Sequence, residues 1–300
     1  MGLSTNINVN DYIIYFTTSA IDKFKSLFDT IQKLKPESFI TFYKGDGTEK
    51  NPGKIIIKDM TNDNTIFYTL VIPESNLDEY YCAPNYHIIS VDFKIIHDII
   101  KNMSECNKLT FSISNYKDHE LNMVAYTKAR TLEIKASVNL LNDRPPIMPP
   151  DLHIEFIGQI YIGSEKLHAA CKNLLSFGKY IDIICIKDKI TLAAREAEIS
   201  KSKFSVSYKS VSGDQKITTD TFKNNVIIKF DPDFLNKNHI PIIRSTFEIA
   251  HIINFDKLKS LVGYIDIRMG ANNEPLCLNY IIPNIGQFNV CITSISPKDK

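Results

Sequence analysis

NDRPPIMPPD, residues 142–151, sets the organisation of the whole chain. Pro145, Pro146, Pro149 and Pro150 each lack a backbone N–H and hold their own φ fixed, so this run can continue neither a helix nor a central strand. It reads as a semi-rigid extended linker. It divides the 300 residues near their midpoint, with an N-terminal domain expected at 1–141 and a C-terminal domain at 152–300.

Working outward from the linker, the two sides show the same order of elements. On the N-terminal side a strand at 12–16 leads into a helix at 19–35. There Ala20, Phe24, Leu27, Phe28, Ile31 and Leu34 step by three and four onto one face. Ser19 is placed to cap this helix and Pro36 to stop it. Strands are expected at 39–43, 54–58, 65–72 and 87–91. A second helix at 93–103 aligns Phe93, Ile96, Ile99, Ile100 and Met103, and strands at 109–114, 121–127 and 131–138 close the half. The C-terminal side repeats the order. A strand at 154–162 is followed by a helix at 164–177, then by strands at 180–186, 189–194, 203–209, 226–230 and 246–249. A short helix at 250–261 and strands at 263–269, 276–282 and 287–292 complete it. Many strands and few helices predict an α+β fold built on antiparallel sheets, duplicated in architecture rather than in sequence.

Two strands alternate strictly. Leu132, Ile134, Ala136 and Val138 alternate with Glu133, Lys135 and Ser137, and Phe204, Val206 and Tyr208 alternate with Ser205, Ser207 and Lys209. Each has one face on a core and one in water. Such strands suit sheet edges, where unpaired backbone groups can accept another chain.

Composition gives limits. Apolar residues make up 44% and charged residues 23%, an ordinary globular balance, and the formal net charge is only +1. Total charge therefore gives no push towards nucleic acid, and any such contact must come from local arrangement. The first residues are polar and carry no basic-then-apolar leader pattern. The longest apolar runs, such as 180–186, are too short to span a bilayer. An intracellular, membrane-free protein is expected. Cys82, Cys106, Cys171, Cys185, Cys277 and Cys291 form no CxxC pair, and most sit inside apolar runs. They read as buried free thiols rather than zinc ligands or a disulfide framework.

Catalytic motifs fail on inspection. GDGTEKNPGK at 45–54 departs from the spacing of a phosphate loop, and Ile55 stands where a hydroxyl residue is required. It reads as a hairpin loop. The histidines form no HExxH, and no serine sits in a GxSxG elbow. Asp231 and Asp233 read as turn residues beside Pro232.

Four stretches, in order along nearly the whole chain, resemble the PCNA (proliferating cell nuclear antigen) type of DNA sliding clamp. They are the stretch at 80–100, EYYC-like and then HIISVDFKIIHDII, which resembles a strand pair entering the second helix, GKYIDIICIKDKITLAAREAEISKSKFSV at 178–206, TFEIAHIINFDKLKSLVGYIDIRM at 246–269 and EPLCLNYIIPNIGQFNVCI at 274–292. The segments at 212–223 and 231–243 are longer than a typical clamp has, and the end after Ile292 lacks the usual aromatic and Ala-Pro signature. The resemblance implies a DNA clamp fold: two topologically similar domains with two helices each, joined by the linker at 142–151. It further implies assembly as a pseudo-sixfold homotrimeric ring.

The implied function is that of a non-enzymatic processivity factor that encircles double-stranded DNA, without sequence preference, with no cofactor or metal. Its implied partners are DNA polymerase and other replication or repair proteins carrying short hydrophobic motifs. Its implied place is a viral replication site in the cytoplasm, or the nucleus of an infected cell. In such a ring the helices line the hole, and weak phosphate contacts from lysine permit sliding. The four helical stretches carry eleven lysines against seven acids. By resemblance Lys25, Lys101, Lys172 and Lys257 face DNA, accompanied by Lys23, Lys166, Lys179 and Lys259. Ile147, Met148 and Pro149 of the linker would form a partner groove with Pro275, Cys291 and Thr293. Leu132, Ile134 and Ala136 would meet Phe204, Val206 and Tyr208 of a neighbour at the trimer interface. Two alternatives stay open: a clamp-fold scaffold that does not encircle DNA, and an enzyme with an unrecognised site.

Overall fold

The computed structural model describes residues 9–48, 50–103, 105–129, 131–142, 154–186, 188–195, 204–211, 225–237 and 242–295. The chain forms two compact units. Unit 1 is Met1–Asp59, Thr69–Met148 and Asn284–Gly286, and unit 2 is Met60–Tyr68, Pro149–Pro283 and Gln287–Lys300.

The first half of the chain runs β1 (Tyr12–Thr18), α1 (Ile21–Leu34), β2 (Glu37–Tyr43), β3 (Lys54–Met60), β4 (Ile66–Pro73), β5 (Glu79–Cys82) and β6 (Tyr86–Asp92). It ends with α2 (Phe93–Lys101), β7 (Lys108–Ser114), β8 (Lys117–Tyr126) and β9 (Glu133–Asn139). The second half runs β10 (Gly158–Gly163), α3 (Ser164–Leu175), β11 (Tyr180–Ile186), β12 (Lys189–Arg195), β13 (Ser205–Lys209), β14 (Ile227–Phe230) and α4 (Pro232–Lys237). Then come β15 (Ile242–Glu248), α5 (Ile249–Ile253), β16 (Tyr264–Met269), β17 (Leu276–Ile282) and β18 (Gly286–Ile292).

The sheet orders repeat between the halves. The first half has β5-β1-β7-β8-β9 and β4-β3-β2-β6; the second has β14-β10-β16-β17-β18 and β13-β12-β11-β15. Every strand therefore has a counterpart: β9 takes the place of β18, β13 that of β4, and β6 that of β15. Strands β1–β7, β2–β6, β10–β16 and β11–β12 all pair antiparallel.

Strands with one covered face alternate in burial. In β4 every even residue from Ile66 to Ile72 is buried and every odd one is not. The helices cover the inward faces. In α1, Phe24, Leu27, Phe28 and Ile31 are buried and join the rings of Phe16, Phe93 and Phe111, with Phe16 stacked on Phe111 at 4.7 Å. Burying one such ring contributes about 1.5–3 kcal/mol. In unit 2, Leu167, Cys171 and Leu174 of α3 are buried, and Phe255, Tyr280 and Phe288 form a second aromatic core.

Several expectations are corrected. Ser19 does not cap α1: Ala20 holds that position, and the Ser19 hydroxyl donates to Asp78 instead. The helix expected at 250–261 is two pieces, α5 and a 3-10 turn at Asp256–Ser260, because Phe255 drops into the core between them. Asp231 and Asp233 open α4 rather than a loop, and the Asp231 carboxylate accepts from the N–H of Asp233 and Phe234. Strand β5 is the first member of the strand pair that the resemblance implied at 80–100. Cys277 and Cys291 are not free thiols but a disulfide between the neighbouring strands β17 and β18. Their pairing depends on hairpin register, which spacing in sequence does not reveal. Cys82, Cys106, Cys171 and Cys185 are free and buried.

Candidate nucleic-acid interface and edge strands

The lysines picked from the sequence divide into free and engaged. On α1 and α2, Lys25 and Lys101 form no ion pair among the described residues, and neither does Lys94. In unit 2 the exposed Lys257 is likewise unpaired among the described residues. Lys172 is not free. Its Nζ donates to Asp256 at 2.8 Å, and Lys259 pairs with the same carboxylate at 3.0 Å. Burial alone would raise the Asp256 carboxyl, but hydrogen bonds from Lys172 and Lys259 outweigh it and hold it below the ordinary aspartate range. These two lysines and one carboxylate leave a single net positive charge. Lys179 pairs with Glu248 at 3.5 Å and lies over the Tyr180 ring. Lys23 and Lys166 are half-buried on α1 and α3.

On α1, Asp29 accepts from Lys33 and from Gln32, which overcomes its burial and keeps it ionised. Its neighbour His97 contacts it only loosely, at 3.9 Å. Beneath the Lys172–Asp256–Lys259 cluster, His168 is fully buried, and neither ring nitrogen has a hydrogen-bond partner among the described residues. Burial pushes it down to about 4, so it is neutral at pH 7 and adds nothing to the charge of this face.

The two alternating strands are both edge strands. β9 closes one end of β5-β1-β7-β8-β9, and β13 one end of β13-β12-β11-β15. In each, the residues named from the sequence turn their side chains to the covered face: Ile134 and Ala136 are half-buried, as are Val206 and Tyr208. Leu132 and Phe204 are more exposed, and Phe204 stacks on Phe177 at 4.6 Å.

The main chain points otherwise. Thr127 N donates to Leu132 O and Leu140 N to His119 O, so even-numbered residues of β9 bond β8. The outward N–H and C=O groups thus belong to Glu133, Lys135, Ser137 and Asn139. By the same parity, set by the bonds Ala194 N to Phe204 O and Ser210 N to Asp188 O, Ser205, Ser207 and Lys209 present those of β13. The groups able to pair with another chain therefore sit on polar residues that pattern reading passed over. The strict alternation was itself the signal, since in a strand the outward amides alternate as the side chains do.

The groove residues are only partly in view. Ile147, Met148 and Pro149 lie outside the described residues. Pro275 immediately precedes β17, and Cys291 on β18 is held in the disulfide with Cys277. Thr293 donates from both N and Oγ1 to Thr65 O, at 2.9 and 3.2 Å. Ile295 N donates to Thr246 O. Among the described residues no group of three or more His, Cys, Asp or Glu side chains is arranged to hold a metal. No helix among them is long and apolar enough to cross a membrane.

No protein-family model matches the sequence. Among curated proteins the chain is similar to the probable DNA polymerase sliding clamp of Acanthamoeba polyphaga mimivirus. The two are 21% identical over 250 residues, which is 82% of this chain and 48% of that protein. The chain thus spans about half the length of the curated relative it matches. Among solved structures it is similar to the proliferating cellular nuclear antigen of Entamoeba histolytica, with a TM-score of 0.75 and 14% identity, covering 95% of this chain and 100% of that one. The fold is the PCNA-like clamp fold, α+β with mostly antiparallel sheets and few helices.

Proposed function

We propose that this chain, which has the clamp fold, is a sliding clamp of viral type, related to those of mimivirus and of African swine fever virus. It would be a non-enzymatic processivity factor that trimerises around duplex DNA and tethers DNA polymerase and other replication or repair proteins. The observation that carries the reading is the duplicated clamp fold combined with sequence similarity to a protein named as a probable DNA polymerase sliding clamp. Unpaired lysines on the helices supply the weak, sequence-independent phosphate attraction that sliding needs. The open edges of β9 and β13 supply a head-to-tail contact, which builds a ring when its rotation closes. The linker at 142–151 joins the two domains and, with Pro275, Cys291 and Thr293, receives hydrophobic partner motifs. The working place is the intracellular site where the DNA is replicated.

The test combines mass with topology. In solution the protein should have three times the 34.2 kDa chain mass. Loaded on nicked circular DNA, it should stay bound and then be lost when that DNA is linearised. A monomer that binds circular and linear DNA equally would be the clamp-fold scaffold instead.

A further inference from the structure

The counterpart edge strands β6 and β15 are finished differently. Asn85 O accepts from Lys44 N, so odd-numbered residues of β6 carry the ladder to β2, while Tyr86, Ile88 and Ser90 turn their main-chain groups outward. In β15, Ile249 N donates to Lys179 O, and the matching outward residues are Ile242, Arg244 and Thr246. That edge is closed. Arg244 N donates to the Asn272 side chain and Thr246 O accepts from Ile295 N. On its face the Arg244 guanidinium binds the buried Asp182 at 2.6 Å, and the Thr246 hydroxyl donates to the same carboxylate.

On β6, among the described residues, only the equivalent of the last bond is made, from Leu141 N to Ser90 O, as an antiparallel bridge. The outward main-chain groups of Tyr86 and Ile88 take part in no hydrogen bond among the described residues. Their side chains are 62% and 37% exposed, beside Tyr43 at 37%. The sequence that follows Asn142 carries Pro145, Pro146, Pro149 and Pro150, none of which has an N–H to offer a strand edge. A groove of about 310 Å³ runs along this edge, lined by Phe39, His87, Ile88, Asp118, His119 and Leu141 among others.

We propose that β6 is a docking edge for an extended segment of a partner protein, which adds as a short strand against Tyr86 and Ile88. An unpaired edge with exposed apolar side chains invites such addition. The occupant carries apolar residues at alternate positions, to lie beside Tyr86 and Ile88. It carries an acidic residue at the Tyr86 end, where Lys54 Nζ sits 5.4 Å over the Tyr43 ring and Lys44 reaches the Ala83 carbonyl. The outward main-chain groups of this edge belong to neither β9 nor β13.

The probe is a fluorescein-labelled peptide of alternating valine and threonine ending in two glutamates, read by anisotropy against the intact protein. Saturable micromolar binding is expected. Ile88→Pro removes one outward N–H that the β2–β6 ladder does not use, so it should weaken binding at least tenfold while the unfolding midpoint and solution mass stay as in the wild type. Tyr86→Ala should weaken binding several-fold without touching the backbone, and a peptide ending in two lysines should bind less well than the glutamate form. Absence of saturable binding, or equal binding by Ile88→Pro, overturns the proposal. Binding that appears only after residues 143–150 are replaced by Gly-Ser repeats would make the chain's own linker the occupant. A doubling of solution mass that Ile88→Pro abolishes would make the occupant a second copy.

Discussion

Asp256→Asn should tighten DNA binding while loosening the fold. The carboxylate now holds Lys172 at 2.8 Å and Lys259 at 3.0 Å, with side-chain exposures of 48% and 33% against 24% for the aspartate. Removing the charge raises the local net charge from one to two positive units per protomer and frees both ammonium groups. Each additional phosphate that these ammonium groups neutralise should steepen the dependence of log K on log salt by about 0.9. Two such phosphates per protomer would add up to about 1.8, and each is worth about 3.5-fold in affinity for a fourfold fall in salt. The cost is the loss of partly exposed ion pairs, about 0.2–1 kcal/mol each. The sign with pH follows from the depressed carboxyl. Its stabilisation is present above the unfolded aspartate value of about 3.9 and is lost as pH falls through the lower folded value. The wild type should therefore lose stability on acidification through that window, and the asparagine variant should not share this part of the loss. Fluorescence titrations of duplex DNA at several salt concentrations, paired with urea unfolding, measure both effects. Weaker binding by Asp256→Asn, or an unchanged salt slope, would refute the placement of this cluster on the DNA side.

Lys25→Glu combined with Lys257→Glu should shorten retention on circular DNA and flatten the salt slope, with unfolding unchanged, since neither lysine has an ion pair to lose among the described residues. Ser137→Pro removes one outward amide of β9 while leaving the β8–β9 ladder intact, and should convert a trimer to monomers by light scattering. Phe111→Ala, in the ring cluster with Phe16, Phe24 and Phe28, should lower unfolding stability by about 3–5 kcal/mol in a urea melt. Cys277→Ser opens a loop with a sequence separation of 14 and should cost roughly 3 kcal/mol under oxidising conditions, with no difference from wild type once both are reduced.

Local pattern carried much of the fold. Strands β11 and β17 occupy 180–186 and 276–282, the ranges that continuous apolar runs predicted. Helix α1 lies within one or two residues of its expected ends because its apolar stripe and Pro36 both act locally. What escaped the sequence is what depends on register or on distant partners. The break at Phe255 is a tertiary choice, since burying that ring outweighs continuing the helix. The tie between Lys172 and Asp256 joins residues 84 apart, and no helix-face count can see it. The outward amides of β9 and β13 were half legible: alternation revealed the strand, but which parity points outward needed the pairing with β8 and β12.

Duplication also explains why open edges matter here. Two halves built to one plan offer equivalent edges, yet they finish them unequally: β15 is closed by Asn272 and Ile295, β6 is closed only at Ser90, and β9 and β13 end their sheets uncovered by another strand among the described residues. An open edge left to itself invites uncontrolled pairing, so it must be charged, covered or matched. On β9 the outward groups fall on Glu133, Lys135, Ser137 and Asn139, and on β13 on Ser205, Ser207 and Lys209. In the proposed ring these side chains would keep both edges soluble before assembly without blocking the amides. A contact between β9 of one copy and β13 of the next is heterologous, and such a contact either closes into a ring or grows without end. A net charge of +1 gives almost no long-range repulsion to limit growth, so closure of the proposed ring would have to come from geometry. The discriminating observation is a mass that stays at one value as concentration rises.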